Sequence, residues 1–194
     1  RDFCLSRGLG DVYKRQRENN EYPTAQEAHM PIKTLQDLFI NELSDINSAE
    51  KQLSKALPRM ARAAEDPALI AAFEQHFEET QGQLERIDQV VEAGNFKLKR
   101  IKCAAMEGLV EEAKEIIDEI PKGPVRDVAL VGAAQRVEHY EIAGYGTLVA
   151  LAKTLGHDVA ASTLHATLEE EKATDIKLTE LAKTTINRKA LLVK

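Results

Sequence analysis

Positions 95–123 carry the sequence NFKLKRIKCAAMEGLVEEAKEIIDEIPKG, a long and mostly polar link between two pairs of helical patterns. The link opens with the basic run KLKRIK and ends beside Pro121 and Pro124. Between them, the apolar spacing of LVEEAKEIIDEI predicts one short amphipathic helix. A link of about 30 residues can run the length of a helical bundle.

Four long helical patterns flank this link, two before it and two after it. Each is recognised by apolar residues that recur every three or four positions, and capping or helix-stopping residues mark the ends. The predicted helices run from Thr34 to about Glu65 with a kink or break near Pro58, from Asp66-Pro67 to about Ala93 before Gly94, from about Val125 to Leu155 before Gly156, and from a cap at Asp158 to about Asn187.

The lengths of the joins predict the topology. Tight joins at 65–67 and 156–158 make the first two helices antiparallel neighbours, and likewise the last two, whereas the 95–123 link can cross the bundle. Gly and Pro number only 10 and 6 in 194 residues, which favours helices over a sheet. The sequence therefore predicts an all-α protein: a ferritin-like four-helix bundle with one long crossover connection that carries a short fifth helix.

Composition excludes several classes of function. A net charge of -6 disfavours binding to nucleic acid or to an anionic membrane surface, because either would require a basic face. No apolar run approaches the roughly 20 residues that span a bilayer. The two cysteines, Cys4 and Cys103, do not make a disulfide framework, so a cytoplasmic location is expected.

Residues 1–29 differ from the rest of the chain. They contain neither the apolar core of a signal peptide nor a helical period, and they precede Met30. We expect a disordered or non-native tail at 1–29 and a ferritin-like domain at 30–194.

Each long helix places acidic groups on or beside its apolar face when residues are set at about 100° intervals. On the first helix Glu42 falls at the centre of the apolar stripe, with Glu50 on one shoulder and Asp45 on the opposite edge. On the other helices, the inward or flanking groups are His76 and Glu79, then Glu138 and Glu141, and finally Glu171 and Asp175.

Converging acids in a helical core require compensation. An unpaired buried carboxylate costs several kcal/mol or becomes protonated, and several together repel unless cations neutralise them. Oxygen-rich donor sets in a bundle suit iron or manganese. The alternative is that each acid reaches water or an arginine, for which Arg59, Arg62, Arg86 and Arg136 are candidates. Chance does not readily explain inward or flanking acids on all four helices, so the pattern favours the metal site.

Five blocks of this sequence resemble the YciE/YciF group of bacterial stress-associated proteins, a ferritin-like family of largely undefined function. The resemblance covers about residues 32–188 and implies a homodimer with a dinuclear metal centre. The blocks are TLQDLFINELSDINSAEKQLSKALPRMARAA, HFEETQGQLERIDQVVE, KCAAMEGLVEEAKEII, AAQRVEHYEIAGYGTLVALAKTLG and TLEEEKATDIKLTELA. The acids that align with them are Glu42, Asp45, Glu79, Glu138, Glu141, Glu171 and Asp175.

The sequence departs from the Glu-x-x-His pattern that di-iron bundles use on two helices. Gly82, Gly144 and Thr174 stand three positions after Glu79, Glu141 and Glu171, whereas His76 precedes Glu79 by three. Oxygen-rich ligation makes manganese or mixed occupancy plausible beside iron.

The predicted function is a stress-response protein that binds dinuclear iron or manganese through these groups, with ferroxidase or peroxide-linked chemistry as its possible activity. The alternative is a non-enzymatic dimeric binding or scaffold protein whose inward acids are ion-paired. Cys103 is assigned to packing. Tyr140 and Tyr145 are also assigned to packing, with a place near the metal as the alternative.

Overall fold

The computed structural model describes residues 32–193, so the predictions for the 1–29 tail lie outside the described residues. This part of the chain contains four long helices, a shorter fifth of 16 residues and no β-strand, which confirms the all-α class. The elements are α1 (Leu35–Ala63), α2 (Pro67–Gly94), α3 (Ala104–Glu119), α4 (Pro124–Thr154), α5 (Asp158–Leu181), a π-helical turn (Ala182–Ile186) and α6 (Asn187–Ala190).

The first two helices begin where capping chemistry predicts. The Thr34 side chain accepts a hydrogen bond from the backbone N–H of Asp37, and Asp37 accepts one from the backbone N–H of Thr34. Asp66 caps α2, whose first residue is Pro67. Both caps satisfy N–H groups that the first helical turn leaves unpaired.

Two helix ends differ from the sequence-based expectation. Helix α1 itself continues past Pro58 to Ala63, close to the predicted end, because burial of Leu57 and Met60 outweighs one missing backbone hydrogen bond. Asn95, with φ of 47°, takes the left-handed position after α2 rather than Gly94. Asp158 is the first residue of α5 and not its cap.

The long helices contact one another in four pairs: α1 with α2, α4 with α5, α2 with α5, and α1 with α4. The first two pairs are joined by the short links 64–66 and 155–157. Helix α4 starts where α1 ends, since Arg126 donates to the Ala63 carbonyl, and it finishes near the start of α1, where His157 contacts Gln36 at 2.8 Å. The α1–α4 pair is therefore antiparallel.

The 95–103 segment lies along α1. The backbone N–H groups of Lys99 and Cys103 donate to the hydroxyls of Ser44 and Ser48, both at 2.9 Å. Helix α3 then packs against α1 and α4. The segment covers the side of α1 that carries Ser44, which explains why this serine is buried although it is opposite the apolar stripe.

The interior between the long helices is mostly apolar and contains a polar layer near the middle. Phe39, Leu43 and Phe73 are among the large buried side chains. The layer is formed by buried acids, His76, Thr80 and Gln83. No helix between residues 32 and 193 is both long and apolar enough to span a membrane.

Candidate metal centre

Four buried side chains from three helices meet in the polar layer: His76 of α2, Glu138 and Glu141 of α4, and Glu171 of α5. One potential ligand atom from each lies within 4.8 Å of the others. Glu138 and Glu141 are three residues apart, so successive turns of α4 point both toward α2 and α5. All four were predicted as candidates from the sequence.

Most donor atoms of this cluster lack a hydrogen-bond partner among residues 32–193. This holds for both ring nitrogens of His76, for both oxygens of Glu141, and for one oxygen each of Glu138 and Glu171. His76 Nε2 lies 3.2 Å from Glu138 Oε1 but makes no hydrogen bond to it. Nearly all buried polar groups in proteins are hydrogen-bonded, so this concentration of unpartnered atoms indicates a ligand site.

Gln83 orients one acid of the cluster. Its side-chain amide, two turns after His76 on α2, donates to Glu171 Oε1 at 2.5 Å. The same amide nitrogen lies 3.3 Å from Glu170 Oε2, and Glu170 is bound by Arg86 through both carboxylate oxygens. This pairing raises the pKa of Arg86.

Glu50 is the fourth glutamate of the polar layer, and the helical wheel placed it only on the shoulder of the apolar stripe. It is fully buried, the hydroxyl of Tyr145 donates to its Oε1, and its Oε2 has no partner within the described chain. Beyond the effect of burial, the charge of Glu171 raises the pKa of Glu50 and the charge of Glu50 raises that of Glu141, so Glu50 adjoins the four-residue cluster.

Glu42 was placed at the centre of the α1 stripe, but it is only half-buried and is not part of the cluster. A helical-wheel projection gives the direction of a side chain around the helix axis but not its position along that axis. Glu42 precedes Glu50 by eight residues, which corresponds to about 12 Å of helix axis.

Burial raises the pKa of each inward glutamate: Glu50, Glu138, Glu141 and Glu171. Mutual repulsion among these carboxylates adds to the effect at the first three, while His76 opposes it at Glu171. Burial also raises the pKa of Tyr145, next to Glu50. Without a cation, the layer therefore retains protons that free carboxylic acids would lose.

Glu79, another predicted candidate, lies at the solvent side of the cluster. Its Oε2 is 3.7 Å from His76 Nδ1, and Gln75 donates to its Oε1 at 2.7 Å. The interaction with His76 lowers the pKa of Glu79, in contrast to the buried acids.

The two predicted aspartates lie outside the cluster. Asp175 accepts from Gln135 at 3.0 Å and lies 3.5 Å from His139 Nε2. Asp45 accepts a hydrogen bond from the hydroxyl of Tyr140. Each carboxylate has a neighbour that satisfies it.

Tyr140 also contacts Cys103, whose sulfur lies 2.9 Å from the tyrosine hydroxyl. Burial raises the pKa of both groups, so the thiol stays protonated and unreactive at neutral pH.

The two glycines of the AGYG sequence at positions 143–146 have different surroundings. A Cβ on Gly144 would lie 3.0 Å from Ile46 of α1, while one on Gly146 would meet open space. Gly144 thus allows α1 and α4 to approach closely.

The fold and the site together define an all-helical protein whose core contains a carboxylate–histidine cluster. Residues 34–191 match the model of a family described as a domain of unknown function, DUF892, and the chain belongs to that family. It is 60% identical over 162 residues to protein YciF of Escherichia coli strain K12, covering 83% of this chain and 98% of that protein. The predicted resemblance to the YciF group is confirmed.

Solved structures show the same relationship. The crystal structure of the E. coli stress protein YciF matches with a TM-score of 0.79, covering 81% of this chain and 100% of that one. YcfI from Rhodopseudomonas palustris matches with a TM-score of 0.75 and 46% identity, covering 78% and 96%. A protein from Xanthomonas campestris pv. campestris shares the fold, with a TM-score of 0.62, 23% identity, and coverage of 79% and 94%.

Proposed function

We propose that this chain is a ferritin-like stress-response protein whose four long helices form a bundle with the 95–123 segment as crossover. Its core binds two ions of iron or manganese. The antiparallel α1–α4 contact, the position of residues 95–103 along α1 and the stress-protein name of the E. coli relative support this assignment. The proposed ligands are His76, Glu138, Glu141, Glu171 and Glu50.

The observation that carries the proposal is the set of unpartnered buried donors within 4.8 Å of one another. Such groups cost free energy in a metal-free core, because they have lost water and gained no hydrogen bond. A bound cation supplies the missing partner for several of them at once. The donor set therefore fits a metal ion.

Charge and donor type favour two ions rather than one. The four glutamates carry four negative charges when ionised, which two divalent cations neutralise. Several oxygens and a single imidazole nitrogen suit iron or manganese better than a soft metal. A redox-active pair of such ions would supply electrons to oxygen or peroxide. The chain holds the ligands and excludes water, and Gln83 and Tyr145 orient Glu171 and Glu50.

The alternative function, a scaffold with ion-paired inward acids, is not favoured by the contacts. Among the described residues, no lysine or arginine forms an ion pair with Glu50, Glu138, Glu141 or Glu171. Arg86 pairs with Glu170, and Arg136 with Glu112. Both arginines therefore form ion pairs with acids outside the cluster.

The homodimer and the cytoplasmic location that the family resemblance and the cysteine content suggest are parts of this proposal. Light scattering after size-exclusion chromatography of the full chain tests the first, with a mass of about twice 21.5 kDa expected. A monomer mass at micromolar concentration would contradict it. The metal centre lies within one chain and does not depend on that result.

The deciding experiment is metal binding by the full chain. Protein purified without chelator should contain iron or manganese, and metal-free protein should bind two equivalents of Mn(II) or of anaerobic Fe(II). Glu171→Ala should lose stoichiometric binding, whereas Glu42→Ala, an inward-side acid of α1 outside the cluster, should retain it. Equal binding by wild type and Glu171→Ala would refute the site.

The activity is tested on the same samples. Two equivalents of Fe(II) added to metal-free protein in air should give ferric absorbance faster than in buffer and faster than in Glu171→Ala. Oxidation at the rate of the Glu171→Ala control would leave the metal-binding proposal intact and remove the enzymatic one.

A further inference from the structure

Two polar paths connect the buried cluster with the surface, and both run between α2 and α5. The first passes from His76 to Glu79. The second passes from Glu171 through the Gln83 amide to Glu170. A cation that moves inward along either path exchanges its water for side-chain oxygens.

The Glu79 path presents a partly exposed carboxylate next to a deeply buried donor. The Glu79 side chain is 27% exposed, whereas that of His76 is 4% exposed and that of Glu138 1%. Glu79 Oε2 lies 3.7 Å from His76 Nδ1, and this nitrogen makes no hydrogen bond within the described chain. The three groups thus form a graded series from solvent to interior.

The charge of Glu79 is available to a cation. Among the described residues, His76 is its only partner at ion-pair distance. The nearby Lys177 ammonium donates to the amide oxygen of Gln75 at 2.7 Å, and Gln75 in turn donates to Glu79. The lysine is thereby held beside the carboxylate through an amide and does not neutralise it by direct contact.

The Glu170 path is closed by a fixed positive charge. Arg86 binds both oxygens of Glu170, at 2.7 and 2.5 Å, and also donates to the Thr167 hydroxyl. A bidentate guanidinium–carboxylate pair neutralises the acid and holds it in place. The guanidinium also repels an approaching cation.

We propose that Glu79 is the uptake site of the buried centre, where a hydrated divalent cation first binds before it passes to His76 and Glu138. This inference rests on the proposed metal binding, and it assigns Glu79 a role in transfer rather than permanent ligation. Carboxylate oxygen replaces part of the hydration shell at Glu79, and the buried donors replace the remainder further in. No electron transfer is required, and the protons that the buried acids retain pass to solvent as the ion binds.

The test is the rate of metal loading, measured separately from its extent. Metal-free full-length protein is mixed with Mn(II), and the electron paramagnetic resonance signal of the free ion is followed at timed intervals. Glu79→Gln should load roughly tenfold more slowly, at the lower end of electrostatic effects on association rates. It should still reach two equivalents. Lys177→Gln should load faster than wild type, because it removes a positive charge beside the path.

Two matched variants act as controls. Glu78→Gln removes an exposed charge from the neighbouring position of α2 and should load at the wild-type rate. Glu170→Gln should not be slower than wild type, because the arginine path does not carry the ion.

The outcomes separate the two proposals. Wild-type loading rates in Glu79→Gln, or slow loading in Glu170→Gln instead, would overturn the uptake site while leaving the metal centre in place. Loss of an equivalent at equilibrium in Glu79→Gln would show a permanent ligand and also overturn it. Absence of Mn(II) binding by the wild type would refute the metal centre itself.

Discussion

Two buried carboxylates of the same helix, Asp127 and Glu141 of α4, have opposite surroundings. Asp127 accepts hydrogen bonds from the backbone N–H groups of Glu65 and Asp66, at 2.9 and 2.8 Å. Glu141 has no partner for either oxygen within residues 32–193. Both side chains are withdrawn from water. A buried acid thus has a structural role where donors meet it, and indicates a ligand site where they are missing.

The surroundings of Asp127 form a closed network. It ties the 64–66 link to the start of α4, and the adjacent Asp66 caps α2 and accepts a hydrogen bond from Lys189 at 2.6 Å. The contact with Lys189 lowers the pKa of Asp66. Around Glu141, in contrast, acceptors outnumber donors. The comparison predicts that the first region determines stability and the second determines binding.

The largest effect is expected on metal binding at Glu141. Glu141→Gln should weaken Mn(II) binding by at least about 100-fold, because loss of a ligand should exceed the loss of an outer hydrogen bond. The metal-free variant should instead be more stable than wild type by about 1–2 kcal/mol, since an amide at this position needs neither a buried charge nor the uptake of a proton. Calorimetric titration and urea unfolding measure the two quantities. Normal Mn(II) binding together with a lower free energy of unfolding in Glu141→Gln would show that Glu141 stabilises the fold and is not a ligand.

Asp127→Ala should lower the stability of the protein and leave metal binding nearly unchanged. Removal of the carboxylate leaves two backbone N–H groups of the 64–66 link without their acceptor, and should lower the free energy of unfolding by about 2–4 kcal/mol. Binding of Mn(II) should stay within about threefold of wild type once the protein is folded, because the two carboxylates are separated by about 21 Å of helix. Unchanged unfolding would show that water replaces the carboxylate, and lost binding would show that the regions are coupled.

The third expected effect is a pH dependence of the metal-free protein. The inward glutamates have pKa values above the ordinary 4.5, so the folded state retains protons that the unfolded chain releases. Its free energy of unfolding should fall as the pH rises from about 4.5 toward the raised values, by up to about 1.4 kcal/mol per pH unit for each retained proton.

Urea unfolding at several pH values checks this slope. Glu141→Gln should flatten it, because one of the retained protons is removed. Saturating Mn(II) should reverse it, because ligation favours the ionised acids. A metal-free protein whose stability increases over this range would show that the acids are already paired in the folded state.

The helices and their inward faces could be predicted from the sequence, because the spacing of apolar residues and the caps are local signals. Thr34 and Asp66 mark two helix starts where the structure has them. His76, Glu138, Glu141 and Glu171 were among the predicted candidates and lie together in the structure. Their role as ligands stays a prediction.

The comparison of Glu42 with Glu50 shows why a helical-wheel projection selected the wrong acid of α1 and which sequence signal would have selected the right one. Glu141 precedes Gly156 by 15 residues and Glu171 follows it by 15; Glu50 precedes Glu65 by 15 and Thr80 follows it by 15. Residues at equal distance from a tight turn lie at the same level of two antiparallel helices. Counting from the turns would have placed Glu50, and not Glu42, in the polar layer.

The sequence by itself determined the helix positions, the two hairpins and several of the inward acids, because each depends on neighbours within a few turns of the chain. Only the tertiary structure decided how the hairpins meet. The link 95–123 permits many registers between α1 and α4, and the register is chosen by packing such as the contact of Ile46 with Gly144. The same packing directs the hydroxyls of Tyr145 and Tyr140 to Glu50 and Asp45. Which carboxylates gain a hydrogen-bond donor and which do not therefore follows from contacts between residues far apart in the chain.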